Sequence, residues 1–557
     1  MKKWFQMAAG ALAAAVICAA GTMIAWAEPV QVQAQLNSCS ITADKGAIEV
    51  TGTSSGSIAG TDGNIYLFEL EPFETDLSGR TDYLGVAPVG GEFSLAFETG
   101  WGSSPDRAYN RYVAAVYDGT GYTMVSTPRY VSNPEVLAPN QEEFYTPLTK
   151  KGLRVNLDQL ADAMELGVKH AGVDILFQQI MGEGIEFEYD GKVYHFNGPV
   201  IADYDKMISS LSNKGISVTA VILNGWSDAT THLVYPGTQK NDQAFYYMFN
   251  TAEEAGYEET RAIAAFLAQR YDGSDPNCGK VSNWVIGNEV NNQLNWNYMA
   301  STDLTSYVNA YHNAFRVFYT AIKTASASDR VYFSLDYNWN KDADGKNKFG
   351  GREFTDSFNS ISNSQGPMDW GLAYHPYPYP STEPEFWLAP EGAVIDDFNS
   401  PVINFKNINT LTDYFCQDAF KKPDGSVRHI ILTEQGFSAK SATRGDVPYE
   451  QAAAFAYAYY LVDSNPYIEA FLLSRQVDAP SEVNTGLALG LWECDMSQPD
   501  KMIPTMRRKI WEVFKNIDKT KYTLETTEFA KQIIGIEKWQ DIIPNFKWKG
   551  LENKQNQ

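Results

Sequence analysis

Ser282-Asn283-Trp284-Val285-Ile286-Gly287-Asn288-Glu289-Val290-Asn291-Asn292 is an apolar strand that runs directly into a polar cluster centred on a carboxylate. A strand apolar on both faces belongs to a sheet covered on both sides. In a closed parallel barrel, polar residues then emerge at the carboxyl ends of the strands, where active sites are assembled. His429-Ile430-Ile431-Leu432-Thr433-Glu434-Gln435-Gly436-Phe437 has the same grammar.

Working outward, these stretches are the fourth and seventh of eight strand candidates. The others are Leu153 to Asn156, Gly172 to Phe177, Ser217 to Leu223, Val331 to Asp336, Trp370 to Tyr374 and Ile468 to Leu473. Helical periodicity falls between them, at Leu157 to Leu166, Tyr204 to Ser212, Glu258 to Tyr271, Leu304 to Ala325, Phe354 to Ser362, Asn409 to Phe420 and Glu450 to Val462. Such alternation marks repeated βα units around a parallel sheet. The reading is an α/β chain with a (β/α)8 TIM barrel over residues 152–500; a doubly wound open sheet is the rival, and no G-x-G-x-x-G or phosphate loop favours it.

Upstream the rhythm differs. Ala47 to Thr53, Asn64 to Leu70, Glu92 to Phe97 and Tyr112 to Tyr117 are short strands between Gly, Asp, Ser and Pro clusters, which predicts a small β-sandwich over 28–133. A proline-bearing connector, 134–151, separates it from the barrel. The tail, 501–557, opens with a basic amphipathic helix, Met506 to Ile517, expected to close the barrel, with Trp539 and Trp548 packing on its flank.

Residues 1–27 carry Lys2 and Lys3, an alanine-rich apolar stretch, and Ala25-Trp26-Ala27 as a small-x-small cleavage site. This predicts a secretory leader, hence a secreted or cell-surface bacterial protein, and leaves no later segment apolar enough to span a membrane. The net charge of −24 argues against nucleic acid or an anionic surface as partner and suits a neutral carbohydrate. Cys39, Cys278, Cys416 and Cys494 have no metal-ligand spacing; they allow three disulfide pairings or four free thiols. Composition does not fix an oligomeric state.

Cleaving a glycosidic bond with retention needs two carboxyl groups about 5 to 5.5 Å apart, one to protonate the leaving oxygen and one to attack the anomeric carbon. Strands four and seven face each other across a barrel mouth, so the sequence distance from Glu289 to Glu434 is no obstacle. Glu289 is expected to start protonated, its pKa raised by burial and by the Glu434 carboxylate, while Glu434 stays ionised. No metal or organic cofactor is required.

Asn288-Glu289 after strand four, with Glu434 after strand seven, resembles the retaining glycoside hydrolases of clan GH-A, within or near which the chain looks like an uncharacterised bacterial family. The resemblance covers about residues 150–500. It implies Glu289 as acid/base, Glu434 as nucleophile, and Asn288 as a hydrogen-bond partner of the sugar 2-hydroxyl. It also implies roles for His375 and Tyr377 after strand six, in orienting the nucleophile or touching the sugar. Gln178, after strand two, stands where the clan often has Arg. Trp492 is the candidate for the clan's tryptophan beneath the sugar, although it lies well past strand eight.

Beside the resemblance, Asn224 and Trp226 after strand three and Asp336 and Trp339 after strand five are candidates from position alone. Trp226 and Trp339 are the stacking platforms, because aromatic faces pack on the apolar faces of pyranose rings. The alternative function is a non-catalytic carbohydrate-binding surface protein on the same scaffold, against which stands the retention of both carboxylates. The absence of a G-x-S-x-G elbow and of an H-E-x-x-H helix argues against hydrolases of other bonds.

Overall fold

Strands that bury both faces must find apolar cover inside and outside, and this requirement organises the molecule. The computed structural model describes residues 32–56, 62–101, 106–543 and 546. Residues 1–27, where the sequence predicts a leader, and Trp548 lie outside the described residues. Eight parallel strands close into a barrel: β1 (Lys151–Arg154), β2 (His170–Leu176), β3 (Ser217–Leu223), β4 (Asn283–Ile286), β5 (Arg330–Asp336), β6 (Trp370–His375), β7 (Ile430–Gln435) and β8 (Ile468–Leu473). Closure is direct, with Phe471, Leu472 and Leu473 of β8 paired to Lys151, Gly152 and Leu153 of β1.

Alternate residues divide between two cores, as the period of a strand demands. Val221, Leu223, Val285, Tyr332, Ala373, Ile431, Ala470 and Leu472 fill the barrel interior. Their neighbours Ala220, Ile222, Trp284, Ile286, Phe333 and Leu372 face the helices. Gly371 is required by this packing: a Cβ there would lie 2.4 Å from the Tyr332 ring. The Tyr332 hydroxyl donates to Asn283 Oδ1 (3.0 Å), so the interior's polar atoms answer one another.

The connecting helices are α1 (Leu160–Leu166), α2 (Gly198–Ser212), α3 (Glu254–Arg270), α4 (Leu304–Ala325), α5 (Gly351–Gln365), α6 (Ile408–Phe415) and α7 (Pro448–Ser464). The rival open sheet is thereby excluded. One insertion was not expected, an antiparallel hairpin of Gly184–Tyr189 and Lys192–Asn197 between β2 and α2.

Two helix expectations need correction. Asn409 to Phe420 is not one helix: α6 ends at Phe415 and a separate 3-10 turn, Asp418–Phe420, follows. The helix expected from Met506 begins only at Lys509 as α8 (Lys509–Asn516), because Pro504–Arg507 is a strand paired with Trp492–Cys494. A second helix, α9 (Thr520–Ile534), packs with α8 on α7, and Trp539 is buried with its ring 4.8 Å from that of Tyr460.

The N-terminal unit consists of two antiparallel sheets. One holds Gln33–Ile41, Ala47–Ser55 and Gly91–Glu98; the other holds Gly85–Pro88, Asn64–Leu70, Arg111–Tyr117, Tyr122–Met124 and Arg129–Tyr130. It rests on the barrel helices: the Arg316 guanidinium of α4 lies 4.9 Å from the Tyr130 ring centre, and Phe73 packs against Tyr257 of α3. All four described cysteines are free thiols. Among the described residues no helix is long and apolar enough to cross a membrane.

The barrel's amino-terminal end is fastened by a buried ion pair, Lys151 Nζ to Asp518 Oδ1 at 2.7 Å, with both side chains under a tenth exposed. Thr149 Oγ1 donates to the other Asp518 oxygen. Removing one member of such a pair strands a buried charge, which typically destabilises by about 3–5 kcal/mol, whereas replacing both by apolar groups is often nearly neutral. Asp518→Ala is therefore expected to lower thermal and urea midpoints markedly. The double variant Lys151→Met/Asp518→Leu should recover most of the loss; equal loss in both variants would show that the ion pair is not what matters there.

Candidate active site

At the end of β4 the chain turns out of the sheet through two left-handed residues, Gly287 (φ 76°) and Glu289 (φ 38°). Glycine adopts this conformation freely; in Glu289 it stores roughly 1–3 kcal/mol of strain, which surrounding contacts must hold. Those contacts come from β5. The Glu289 amide donates to Ser334 Oγ (2.6 Å) and the Val290 amide to the Ser334 carbonyl (3.0 Å). Asn291 Nδ2 donates to Asp336 Oδ1 (2.6 Å), and the Asp336 amide donates back to Asn291 Oδ1 (3.0 Å). The Glu289 side chain, 12% exposed, meets His375 Nδ1 at 2.9 Å, and His375 Nε2 meets Thr433 Oγ1 of β7 at 3.0 Å.

Glu434 sits on a bulge. Leu432 pairs with Phe471 of β8 and Gln435 with Leu473, so Thr433 and Glu434 occupy a span where β8 has only one intervening residue. Bulges re-aim side chains, and here the carboxylate reaches Arg154 and Tyr377. Tyr377 Oη donates to Oε1 (2.9 Å), and Arg154 Nη1 donates to Oε2 (3.3 Å). Arg154 Nη2 also donates to Asp174 of β2. One guanidinium at the end of β1 thus joins strands two and seven.

The two carboxyls are driven in opposite directions. Burial pushes Glu289 up to about 7; the negative charges of Asp336 and Glu434 add to the rise, and His375 pulls against it. Burial would also raise Glu434, but Arg154, then His375, Arg475 and the Tyr377 hydroxyl, outweigh it and hold the group at about 2. Between about pH 2 and pH 7 the mouth therefore holds one protonated carboxylic acid and one carboxylate, two states set by environment in residues of one type. Beside Glu434 a cleft of about 300 Å³ opens, lined by Arg154, Asn156, Asp174, Ser474 and Arg475 among others.

The structure gathers Glu289, Glu434, His375 and Tyr377 into one cluster, with Asn288 buried at its edge. Other sequence candidates have different work. Trp339 is no platform: its ring is fully buried, donates to the Phe398 carbonyl (3.0 Å) and packs on Tyr414. Trp492 is not beneath the carboxylates either; its indole donates to Asp162 of α1 (3.1 Å) and is covered by the Arg507 guanidinium. The Asp336 carboxylate is occupied by Asn291 and Asn338, so it braces the turn after β4. Asn224 is buried with Nδ2 donating to the Leu233 carbonyl, and Gln178 Oε1 accepts from the Gly225 amide, tying the loop after β2 to that after β3. Trp226 is half-buried, its ring 5.2 Å from that of Tyr247.

Sequence reasoning missed Arg154, Ser334 and Tyr246. The absent arginine after strand two is answered by Arg154 on β1. Its signal was an arginine at the carboxyl end of the first strand, where a charge drawn into a barrel mouth needs a partner. Ser334 and Tyr246 gave no comparable signal, since a serine or tyrosine in such positions is ordinary.

No curated protein matches the chain. Solved structures similar to it include a family 39 glycoside hydrolase from Bacteroides cellulosilyticus WH2, with TM-score 0.44 and 17% identity over 86% of this chain and 82% of that one. A family 1 β-glucosidase from Thermotoga maritima has TM-score 0.40 and 13% identity over 67% and 86%. A β-glucuronidase from Bacteroides uniformis has TM-score 0.37 and 10% identity over 87% of this chain, which spans about half (49%) of its length. The model of one family, described as a family of unknown function, DUF5722, matches residues 143–542, from the connector through the barrel to the last helices, and the chain belongs to that family.

Proposed function

We propose that this protein is a bacterial glycoside hydrolase, exported by its Met1–Ala27 leader, that cleaves a poly- or oligosaccharide with retention of configuration. The observation that carries the reading is the pair of carboxyls at the ends of β4 and β7, with His375 bonded to both Glu289 and Thr433 and with Arg154 and Tyr377 on Glu434, environments that favour a protonated Glu289 and an ionised Glu434. In the first step Glu434 attacks the anomeric carbon while the bond to the leaving oxygen breaks and Glu289 gives that oxygen its proton. In the second step the ionised Glu289 takes a proton from water, whose oxygen attacks the anomeric carbon and releases Glu434.

Arg154 and Tyr377 hold the Glu434 oxygens so that one lone pair faces the sugar, and they favour the anion before attack and after release. His375 orients Glu289 and stabilises its ionised form between the two steps. Asn288 is assigned to the 2-hydroxyl.

Hydrolysis of 4-nitrophenyl glycosides and oligosaccharides of gluco, galacto, manno, xylo and arabino configuration tests the reading. Glu289→Ala and Glu434→Ala should each lose at least about 10²–10⁴-fold in kcat on the substrate that the wild type cleaves. Unchanged activity in either variant defeats the mechanism, and a wild type inert on every glycan favours a binding protein. The first product released, followed by proton NMR, should keep the anomeric configuration of the substrate; the opposite anomer would mean inversion.

Activity requires Glu289 protonated, so it falls as pH rises through about 7; it requires Glu434 ionised, so the acid limb lies only near about 2. Because His375 pulls the Glu289 pKa down, His375→Ala should carry the alkaline limb of kcat/KM to higher pH while lowering its plateau. A limb that stays or moves down contradicts the assigned contact.

A further inference from the structure

Two loops at the barrel mouth carry aromatic rings that the two-carboxylate chemistry does not use. The loop after β3 contributes Phe245 and Tyr246, and the turn after β4, which also bears Glu289, contributes Trp296. Tyr246 packs on the barrel-interior cluster beside Leu176, and the charges of Asp174, Arg154 and Glu434 reach its hydroxyl, so it stands over the mouth. Its ring lies 6.0 Å from that of Trp296, and Trp296 lies 4.8 Å from Phe245 with the planes 20° apart. The rings form a continuous run from the Glu434 side outward.

Phe245, at the outer end, is 63% exposed. One face covers the Trp296 indole and the rest is in water. Apolar area left in water forgoes about 25 cal/mol per Å² of burial, and an isolated exposed ring needs no explanation. This ring is different because its backbone is held. The Phe245 amide donates to the Asn295 carbonyl (2.8 Å), and Asn295 Nδ2 donates to the Gln243 carbonyl (3.0 Å). The Tyr298 amide donates to the Tyr246 carbonyl (2.9 Å), and the Met248 amide to the Tyr298 carbonyl (3.0 Å). The two loops are thus zipped together, and a flat apolar face is presented in a fixed orientation on segments that also carry Asn241, Gln243 and Asn295.

We propose that Phe245, backed by Trp296, is an outer sugar-binding platform that stacks a pyranose ring of the substrate beyond the unit being cleaved, so that the preferred substrate is an oligosaccharide or polysaccharide chain. Pyranose rings offer apolar C–H faces to aromatic rings and hydroxyl edges to amides, which is the chemistry this surface presents. The platform rests on the glycoside hydrolase reading for its function but not for its binding.

The test uses the full chain, with Phe245→Ala, Phe245→Trp and, as a surface control in the N-terminal unit, Tyr83→Ala, exposed in the loop before the strand Gly85–Pro88. The readout is the ratio of kcat/KM on the hexasaccharide to that on the disaccharide, in whichever of the cello-, laminari-, xylo- and manno-oligosaccharide series is cleaved. The ratio should fall about tenfold in Phe245→Ala, recover in Phe245→Trp and hold in Tyr83→Ala; about tenfold is the scale of one lost aromatic contact. A wild type without preference for the longer chain, or a ratio unchanged in Phe245→Ala, overturns the platform. If the wild type cleaves none of them, the hydrolase reading is judged separately on the wider glycoside panel, and calorimetric titration of the four hexasaccharides decides for the platform. Binding weakened about tenfold by Phe245→Ala keeps the platform, while no binding, or equal binding by the variant, removes it.

Discussion

The Arg154 guanidinium, 12% exposed and shared between Glu434 and Asp174, is the interaction on which the chemistry of the mouth depends. Two carboxyl groups confined together resist being ionised at once, and burial penalises both. A symmetric site would divide a proton ambiguously. The guanidinium on one side breaks that symmetry: the group beside it stays an anion, and the group across the mouth, buried and with only His375 pulling the other way, holds its proton up to about pH 7. Arg154 is itself a product of closure. Its stem passes over β2 at Gly172, where a Cβ would come within 3.1 Å of it, and β1 is held in register between β2 on one side and the returning β8 on the other.

The other carboxyl is fixed by backbone rather than by charge. Glu289 stands in a left-handed conformation that an L-residue avoids, and β5 braces it through Ser334 and the reciprocal Asn291 and Asp336 hydrogen bonds. The Asp336 carboxylate does double duty: its donors hold the turn, and its negative charge adds to the rise of the Glu289 pKa. Burial is the main cause of the Glu289 rise, but Asp336 contributes to both shape and protonation at this position, and a change there disturbs both.

The barrel was legible because strands buried on both faces leave a signal that few other elements imitate, and Ser217 to Leu223, with every residue buried, is the clearest case. The pair of glutamates followed from their strand ends. Legibility failed where a residue's role depends on what crosses the barrel. Trp339 and Trp492 have the composition of platforms, but one is sealed by Phe398 and Tyr414 and the other by Asp162 and Arg507, contacts made by segments remote in sequence. Gln178 and Asn224 likewise spend their amides on neighbouring loops. The hairpin before α2 had a readable signal, the Asp190-Gly191 turn between alternating strands, which favours a two-residue hairpin loop.

These failures share a pattern that bears on where specificity resides. Polar and aromatic residues directly after the strands are used mainly to fasten one loop to the next, as Gln178 does for Gly225 and Asp336 for Asn291. Such a rigid rim leaves substrate contact to side chains farther along the loops, where backbone already held by hydrogen bonds can present a ring without further support. Phe245 has that character: it follows β3 by more than twenty residues, yet its orientation is set by the turn that carries Glu289. In the proposed reading, chemistry and chain recognition share one short segment, Glu289 to Tyr298. Displacement of that segment would move the Glu289 carboxyl and the Phe245–Trp296 surface together.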